Sequence, residues 1–540
     1  MGLTNFLFGK QIAREVDKQV TQFMANFKYQ VPGREQSLSN LVKFRQSEYR
    51  VWAGGNPVDL IMFYSTYRTI PGEISSQSRQ LWWEWVDGKT NVPKLHYPTA
   101  EIIMNQMKSL LFAEDLDIYV SVGDDKENEA KSIEKTETLM EILEDNDHNE
   151  KYQTGSMYET YSGTVACKLV FREDVSEYPI MIMYPAERVK LRVILGKIQE
   201  IIFEDGYVQT DKKYILRSYY GKGYIKYELY DDEGHRVPIN TVEELSEGYE
   251  DVYFLDKSNK PINMIFATFK KNRSNSNEFD GTEYGGSDFE GLTDTFNLID
   301  EIYSQKNLYI RRVRPSMSIS DTEIVKDDEG NEKIPPEYKF DMFITRGQPD
   351  KPVGFKRDVP EFNTTMYDES IKNELKTCWM KIGMAYTTVG LEAHSANISG
   401  AALEIKEKSS VIVRSNKIKL WNKFLVDTYN ALLTMYSLKG QKPIAVEDDE
   451  GIQYQYRVDE VERYDISINF PAFNNQTFEE RVEEATKALG VAFDQEEAVK
   501  YALKNQGYTE DDFKRIVKNI KIEEGKPLIN DQLGVGDENN

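Results

Sequence analysis

The feature that most constrains the fold lies between residues 287 and 438, where two helical segments flank a strand-rich insert and a longer helical segment follows. In the first segment, over residues 289–313, apolar side chains recur every three or four positions, interrupted only by Lys306. This spacing predicts a helix of roughly 26 residues, about 39 Å long, with one buried stripe. Ser287 and Glu290 have the spacing of a capping box, so we expect the helix to begin there. Long helices with a single buried stripe usually pack against copies of themselves or against other long helices.

The two helical segments that follow complete this pattern. A strand-like insert at 315–360 precedes a second helix predicted over residues 363–386. A loop at 387–398 then leads to a third helix of roughly 39 residues, about 58 Å long if continuous. Helices of this length are typical of coiled coils, membrane spans or large assemblies, and the lysines and glutamates of this one exclude a membrane span. The order helix, insert, helix, loop and long helix is an architecture rather than a catalytic signature.

The remaining chain predicts an α+β protein with more than one domain. Helical patterns occur within residues 35–162, and short β-branched and aromatic runs within 164–269 predict an antiparallel β domain, with turns such as Asp205-Gly206 between its strands. The C-terminal part predicts a small β element within 452–470 and helices within 478–524.

Composition and charge narrow the class of protein. The two cysteines, Cys167 and Cys378, lie far apart and predict reduced packing residues rather than a disulfide. The chain has no apolar run of membrane-spanning length and no signal-peptide pattern, so we expect an intracellular, reducing compartment. Its 67 basic and 91 acidic residues give a net charge of -24, which argues against a general DNA binder. An acidic surface past which DNA slides remains compatible with this charge.

The sequence contains no recognisable catalytic or metal-binding motif, so we predict no catalytic residue, no metal site and no cofactor. The four histidines are scattered singly, without the spacing of metal ligands. Gly88-Lys89-Thr90 has the end of a phosphate-binding loop, but Trp83 stands where the leading glycine is needed. Carboxylates are too numerous for any pair of them to indicate an acid–base site.

Several local patterns occur in a fixed order along the chain: Tyr49-Arg50-Val51-Trp52-Ala53-Gly54-Gly55-Asn56 with Leu60 and Phe63-Tyr64, then Asn272-Arg273-Ser274-Asn275, Gly285-Gly286-Ser287-Asp288-Phe289-Glu290 and Ile299-Asp300, and then Asn397-Ile398-Ser399-Gly400-Ala401-Ala402-Leu403. Their order and spacing, over most of residues 35–525, resemble the portal (head-to-tail connector) proteins of tailed bacteriophages. No single pattern is as specific as a set of zinc ligands.

The resemblance implies a portal-like α+β fold assembled as a ring, typically of twelve subunits, with these parts: a wing at 1–286 containing the N-terminal helices and the antiparallel β domain, a first stem helix at 287–314, a small α+β clip at 315–360, a second stem helix at 361–386, a tunnel loop at 387–398, a long wing helix at 399–438, and the rest of the wing with a helical crown and a disordered tail at 439–540.

The resemblance also implies a function and partners. Such a ring occupies one capsid vertex, where it serves DNA packaging, retention and ejection. Double-stranded DNA passes through its channel without sequence specificity. The terminase large subunit docks on it first and a head–tail adaptor later, and it contacts the major capsid and scaffolding proteins. The expected location is the virion, and the host cytoplasm during assembly, with no membrane partner.

Four groups of site residues follow from this assignment. The tunnel loop would present Glu392, His394, Ser395 and Asn397 to DNA. A basic belt at the junction of stem and clip would contain Arg311, Arg312 and Arg314. The docking face of the clip would contain Arg346, Lys351, Lys356 and Arg357. The stripe through which stem helices meet between subunits would contain Phe289, Leu292, Phe296 and Ile299.

Two other classes of protein stay open at this point. One is a different oligomeric structural protein of a virion or cell surface, which would use the long helices in a plain bundle. The other is a carbohydrate-active enzyme, because aromatic and acidic residues are abundant. Ring-shaped particles in negative-stain microscopy would distinguish a portal from the first class, and hydrolysis of a glycan panel would support the second.

Overall fold

A computed structural model describes the following residues: 34–66, 82–84, 93–123, 126–245, 248–273, 279, 282–313, 316–320, 342–345, 356–358, 363–386, 388–391, 400–448, 451–458, 461, 463–471, 485–487 and 498. The chain divides into two compact units, residues 1–470 and residues 471–540. In the second unit the described part includes a short helical segment at 485–487, so most of the helices predicted within 478–524 and the predicted tail lie outside the described residues.

The N-terminal half of the first unit begins with helices at the predicted places. They are α1 (Arg34–Gly54), α2 (Pro57–Thr66), α3 (Thr99–Phe112), α4 (Lys126–Asp145) and α5 (His148–Ser162). Helix α5 ends at Gly163, whose φ of +72° is the left-handed conformation that glycine accepts at a helix C-terminus. A Cβ atom at Gly163 would also collide with the carbonyl oxygen of Gly285, so glycine lets two segments approach closely.

The β domain contains two sheets, which confirms the predicted strands. The strands before the long helices are β1 (Asp117–Ser121), β2 (Thr164–Val170), β3 (Ile180–Pro185), β4 (Val189–Ile194), β5 (Lys197–Gln209), β6 (Lys212–Gly221), β7 (Tyr224–Asp231), β8 (Arg236–Val237), β9 (Asp251–Leu255) and β10 (Ala267–Lys271). Strands β10, β2 and β3 form a three-stranded antiparallel sheet in that order.

The larger sheet has eight strands and recruits the C-terminal part of the first unit. Its order is β14-β15-β9-β7-β6-β5-β4, with β8 beside β7, where β14 is Ile444–Asp448 and β15 is Gly451–Arg457. Strand β15 runs parallel to β9, whereas the other neighbours are antiparallel. Strand β16 (Asp465–Asn469) pairs instead with β1, so the predicted C-terminal β element is not a separate unit.

The turn predicted at Asp205-Gly206 is wrong, because both residues lie inside β5. Asp205 reaches across to the smaller sheet, where its carboxylate accepts a hydrogen bond from Lys168 Nζ at 2.8 Å and another from the Tyr184 hydroxyl at 2.9 Å. The turn lies at Thr210-Asp211, where both φ angles are positive.

The predicted order of helices and insert is confirmed. Helix α6 is Thr293–Arg312, the insert contains β11 (Ser316–Ser320), β12 (Met342–Thr345) and β13 (Lys356–Asp358) in one small sheet, α7 is Thr365–Ile382, and α8 is Gly400–Tyr436. Helix α8 is one continuous helix of 37 residues. Its Trp421, Phe424 and Leu425 are buried in the core that α8 shares with the two sheets.

The capping box expected at Ser287 is wrong. Helix α6 begins at Thr293, since Gly291 has a φ of +71°, which no α-helix accommodates. The Ser287 hydroxyl accepts a hydrogen bond from Phe289 N at 2.9 Å and donates to Tyr161 O at 2.7 Å. Ser287 therefore fixes this segment to the end of α5 rather than starting a helix.

Candidate functional site: the seat of the long helices

Two stretches of sequence that lie more than 200 residues apart meet at the start of α6. The Trp52 ring lies 5.3 Å from the Phe296 ring, and the Tyr49 ring meets Phe289 edge-on at 6.2 Å. Trp52 Nε1 donates a hydrogen bond to the Tyr64 hydroxyl at 2.7 Å. The N-terminal pattern and the pattern leading into α6, both used for the family resemblance, are thus parts of one buried contact.

A buried carboxylate completes this contact. Asp300 of α6 accepts hydrogen bonds from Trp83 Nε1 at 2.9 Å and Tyr97 N at 2.7 Å, and pairs with His96 Nδ1 at 2.9 Å. Burial raises the pKa of the Asp300 carboxyl, against the lowering by His96 and the other donors. Three donors from one segment therefore hold this turn of α6.

A group of four buried charged residues holds the segment just before α6. We call Glu159, Lys270, Asp288 and Lys417 the buried ion network. Lys417 Nζ of α8 donates to Asp288 Oδ2 at 2.9 Å and lies 3.5 Å from Glu159 Oε1, while Lys270 Nζ lies 2.6 Å from the same Glu159 atom. Two cations balance two carboxylates, so the group compensates its own charge in a region removed from water.

The pKa shifts in this network follow from burial and charge. Burial lowers the pKa of the Lys270 ammonium to about 8, with Glu159 partly offsetting it. Burial also lowers the pKa of Lys417, but the Asp288 and Glu159 carboxylates outweigh this effect, so the pKa of Lys417 is raised. The pKa of Asp288 is lowered, because Lys417 and Arg273 outweigh the effect of burial. Asp288 and Lys417 therefore remain a charged pair that ties the segment just before α6 to α8.

The stripe predicted to join subunits lies inside the subunit. Phe289, Phe296 and Ile299 are fully buried and Leu292 is 1% exposed, all within a single chain. The prediction that these four residues mediate contacts between subunits therefore has no exposed surface in this chain to support it, and the Trp52 and Tyr49 rings pack on Phe296 and Phe289 within one subunit. The periodicity correctly indicated burial but not the partner.

Further along, the same helix is only partly covered. Its contact with α7 includes the rings of Tyr309 and Tyr367, 5.7 Å apart, and the ion pair between Lys306 and Asp368. Large apolar side chains remain exposed on the three long helices: Leu298 (41%) and Ile310 (38%) on α6, Met366 (67%) and Met380 (63%) on α7, and Val411 (38%) and Ile412 (52%) on α8.

The structure places few of the other predicted site residues. Arg311 is exposed near the end of α6, and Arg312 is the last residue of that helix. Lys356 and Arg357 lie on β13, paired with Ser318 and Met317 of β11. The side chains of Arg312, Lys356 and Arg357, and all of Arg314, Arg346, Lys351, Glu392, His394, Ser395 and Asn397, lie outside the described residues.

Sequence reasoning missed the buried ion network and the role of Asp300. The sequence contains one indication of each, in the position of Asp300 and of Lys417 relative to buried apolar residues. Asp300 follows Phe296 by four residues and Ile299 by one, so it falls on the buried side of the stripe. Lys417 precedes Trp421 by four residues and therefore shares the apolar face of α8. A charged residue on such a face indicates a buried partner elsewhere in the chain.

The described part of the chain contains no group of three or more His, Cys, Asp or Glu side chains that could hold a metal ion. Among the described residues, no helix has the length and apolar character needed to cross a membrane. Both cysteines are buried and unpaired with each other, as predicted.

No protein-family model and no curated protein matches the chain. Chains in three solved structures are similar to it. One is from the virion of a native gene transfer agent particle, 11% identical, with a TM-score of 0.30 over 75% of this chain and 87% of that chain. Another is from the neck of an empty particle computed with C6 symmetry, 11% identical, with a TM-score of 0.34 over 74% and 87%. The third is from the neck of a native particle computed with C12 symmetry, 10% identical, with a TM-score of 0.32 over 75% and 88%.

All three are chains of gene transfer agent particles. Their TM-scores are all below 0.5, so they carry no argument about this chain's function.

Proposed function

We propose that this chain is the subunit of a phage portal, a ring at one capsid vertex through which double-stranded DNA is packaged, retained and ejected. The observation that carries the proposal is the order of α6, a small insert sheet, α7 and the 37-residue α8. Helix α6 is held at its start and carries two exposed apolar side chains, Leu298 and Ile310. This arrangement suits a structural subunit, and we propose no catalytic activity, metal or cofactor.

The exposed apolar side chains of α7 and α8 favour self-association. Met366 and Met380 on α7 and Ile412 on α8 are each more than half exposed, and contact with another subunit would remove these apolar side chains from water. Covering them with the next copy, by a head-to-tail contact, closes a ring when the rotation between subunits divides a full turn. Twelve subunits is the number expected from the family resemblance.

The roles of the remaining parts belong to the same proposal. The insert at 315–360 would dock the terminase large subunit and later a head–tail adaptor, through charged side chains such as Lys356 and Arg357. The loop at 387–398 would face the DNA, with a basic belt at Arg311. A net charge of -24 supports passage without capture, because firm binding to DNA depends on neutralising many phosphates. The ring would also contact the major capsid and scaffolding proteins.

Shortening the loop at 387–398 tests the proposed channel. We expect rings to form but packaged DNA to decrease, measured as DNA yield in an infection complemented only by the variant. The matched control shortens the exposed turn at 232–235, between β7 and β8, and should leave the yield unchanged. Normal yield from the loop variant would count against a role in the channel. A docking role for the insert would be refuted if chains lacking 315–360 assembled and packaged DNA normally.

A further inference from the structure

The hairpin between β4 and β5 ends in a turn that its sequence does not favour. Leu195 and Gly196 form the turn with φ angles of +50° and +71°. A two-residue turn with positive φ at both positions normally carries Asn-Gly, and a leucine at the first position is disfavoured. Leu195 is also 96% exposed, and its neighbour Ile194 is 52% exposed. Strained backbone and an exposed apolar side chain in one residue indicate a contact outside the subunit.

A cavity of about 630 Å³ lies beside strands β7, β9 and β15 of the same sheet, next to the end of α8. Its apolar lining includes Val252 and Phe254 of β9, Tyr456 of β15, and Met435 and Leu438 at the end of α8. A cavity of this size is in the range that accommodates sizeable ligands, so two branched apolar side chains fit within it.

The charges around the two features are complementary. Arg192 and Lys197 flank the hairpin tip and are both exposed. The cavity is lined by three carboxylates, those of Glu173, Asp174 and Glu250, and by two cations, Arg172 and Lys442. Arg172 already donates to Asp174 at 2.6 Å. The remaining charge at the cavity therefore favours a cationic partner.

The sheet order separates the tip from the cavity of its own subunit. From β4 the strands run β5, β6, β7 and β9, so the tip and the β9 wall are four strand spacings apart, or about 19 Å. A projection at one edge and a cavity near the opposite edge form a heterologous pair, which joins identical subunits head to tail.

We propose that the tip of the β4–β5 hairpin, Ile194 and Leu195, inserts into the cavity of an adjacent copy of this chain. The inference rests on the proposed ring, and it adds the pair of surfaces that fixes each subunit to the next through the β domain.

Photo-crosslinking tests where the tip lies. Leu195→Cys would be labelled with a benzophenone maleimide at this exposed site, since Cys167 and Cys378 are both buried. We expect crosslinks between subunits of the assembled protein, with the tip attached to peptides that contain Met435, Val252 or Tyr456. The control is Val208→Cys, 70% exposed near the other end of β5, which should not reach these peptides. Crosslinks only to another surface, or to a different protein in assembled particles, would overturn the inference.

A second variant separates this contact from folding. Leu195→Asn suits the turn, so the subunit should be at least as stable as the wild type while the subunits dissociate roughly tenfold more readily, as expected for loss of one buried leucine. Thr210→Asn is the control, because it changes another residue with positive φ without removing an apolar tip. Both are measured by native mass spectrometry during dilution.

The outcomes distinguish this inference from the proposed function. Rings of Leu195→Asn as resistant to dilution as wild-type rings would overturn the inference alone. A wild-type chain that stays monomeric at all concentrations would overturn both. Mixing Leu195→Asn with a variant whose cavity is filled, Val252→Trp, should give mixed dimers at concentrations where neither variant associates with itself, through the one intact pair of surfaces. A symmetric twofold contact, in which each subunit uses the same surface, would not produce mixed dimers selectively.

Discussion

The two halves of α6 differ in what surrounds them. The first half, together with the segment from Asp288 that leads into it, is held by aromatic rings, by Trp83, His96 and Tyr97 around Asp300, and by the buried ion network. From Lys306 onwards the helix has α7 beside it, one exposed ion pair and the exposed side chain of Ile310. The first half belongs to the core of the subunit except for the exposed side chain of Leu298, and the second half leaves Ile310 for a neighbour. A single stripe in the sequence therefore contains both a folding element and an assembly surface.

The largest effect is expected from a charge placed in the first half. Phe296→Asp would bury a carboxylate without a partner, so we expect loss of the folded subunit, by several kcal/mol. Leu298→Asp lies two residues away on the 41%-exposed side and should fold normally but assemble poorly. Circular dichroism and native mass spectrometry on both variants check this. Assembly loss by Phe296→Asp with a stable fold would contradict the burial of this residue.

The second prediction concerns the buried ion network. Lys417→Met leaves Asp288 and Glu159 short of a cation in the core and should cost about 3–5 kcal/mol. Lys419→Met removes an exposed lysine two residues along α8 and should cost no more than about 0.5 kcal/mol. Urea unfolding followed by tryptophan fluorescence measures both. Equal unfolding midpoints would show that the network does not stabilise the packing of α8 against the segment before α6.

The third prediction compares two aspartates: Asp300 in the buried first half of α6, and Asp368 of α7, which pairs with Lys306 in the second half. Asp300→Asn replaces one acceptor oxygen by a donor that faces Trp83 and His96, and we expect a loss of about 1.5–3 kcal/mol. Asp368→Asn removes the exposed partner of Lys306 and should cost less than about 1 kcal/mol. The free energy of unfolding of each variant is the measurement, and the reverse ranking would contradict the comparison.

The last prediction is a pH dependence of stability that arises in the buried ion network. Burial lowers the pKa of Lys270 to about 8 in the folded chain. Above that pH the unfolded chain binds a proton that the folded chain has released, so the Lys270 contribution to stability increases with pH up to the unfolded pKa. The stability of the wild type relative to Lys270→Met should therefore rise between pH 8 and 10, by at most about 1.4 kcal/mol per pH unit. A flat difference over this range would mean that Lys270 stays charged in the folded chain.

Local patterns gave the order of helices and most strands. The periodicity of α6, α7 and α8 and the alternating runs of β5 to β7 depend on neighbours in sequence, which a single chain reveals. The position of the α6 start was missed because Gly291, with its left-handed φ, overrides a correct capping spacing.

The residues that cover the apolar stripe of α6 could not be predicted from local patterns. Trp52 lies on Phe296, and Lys417 pairs with Glu159 across 258 residues, so no local pattern specifies either contact. The docking and channel residues proposed from the family resemblance remain predictions.

The most direct test of the central claim, that this chain assembles as a ring, is native mass spectrometry of the purified full-length protein with negative-stain microscopy of the same sample. We predict ring-shaped particles and a single dominant mass near twelve times the 62.6 kDa subunit. A chain that remains at the mass of one subunit across micromolar concentrations, with no rings in the images, would contradict the account.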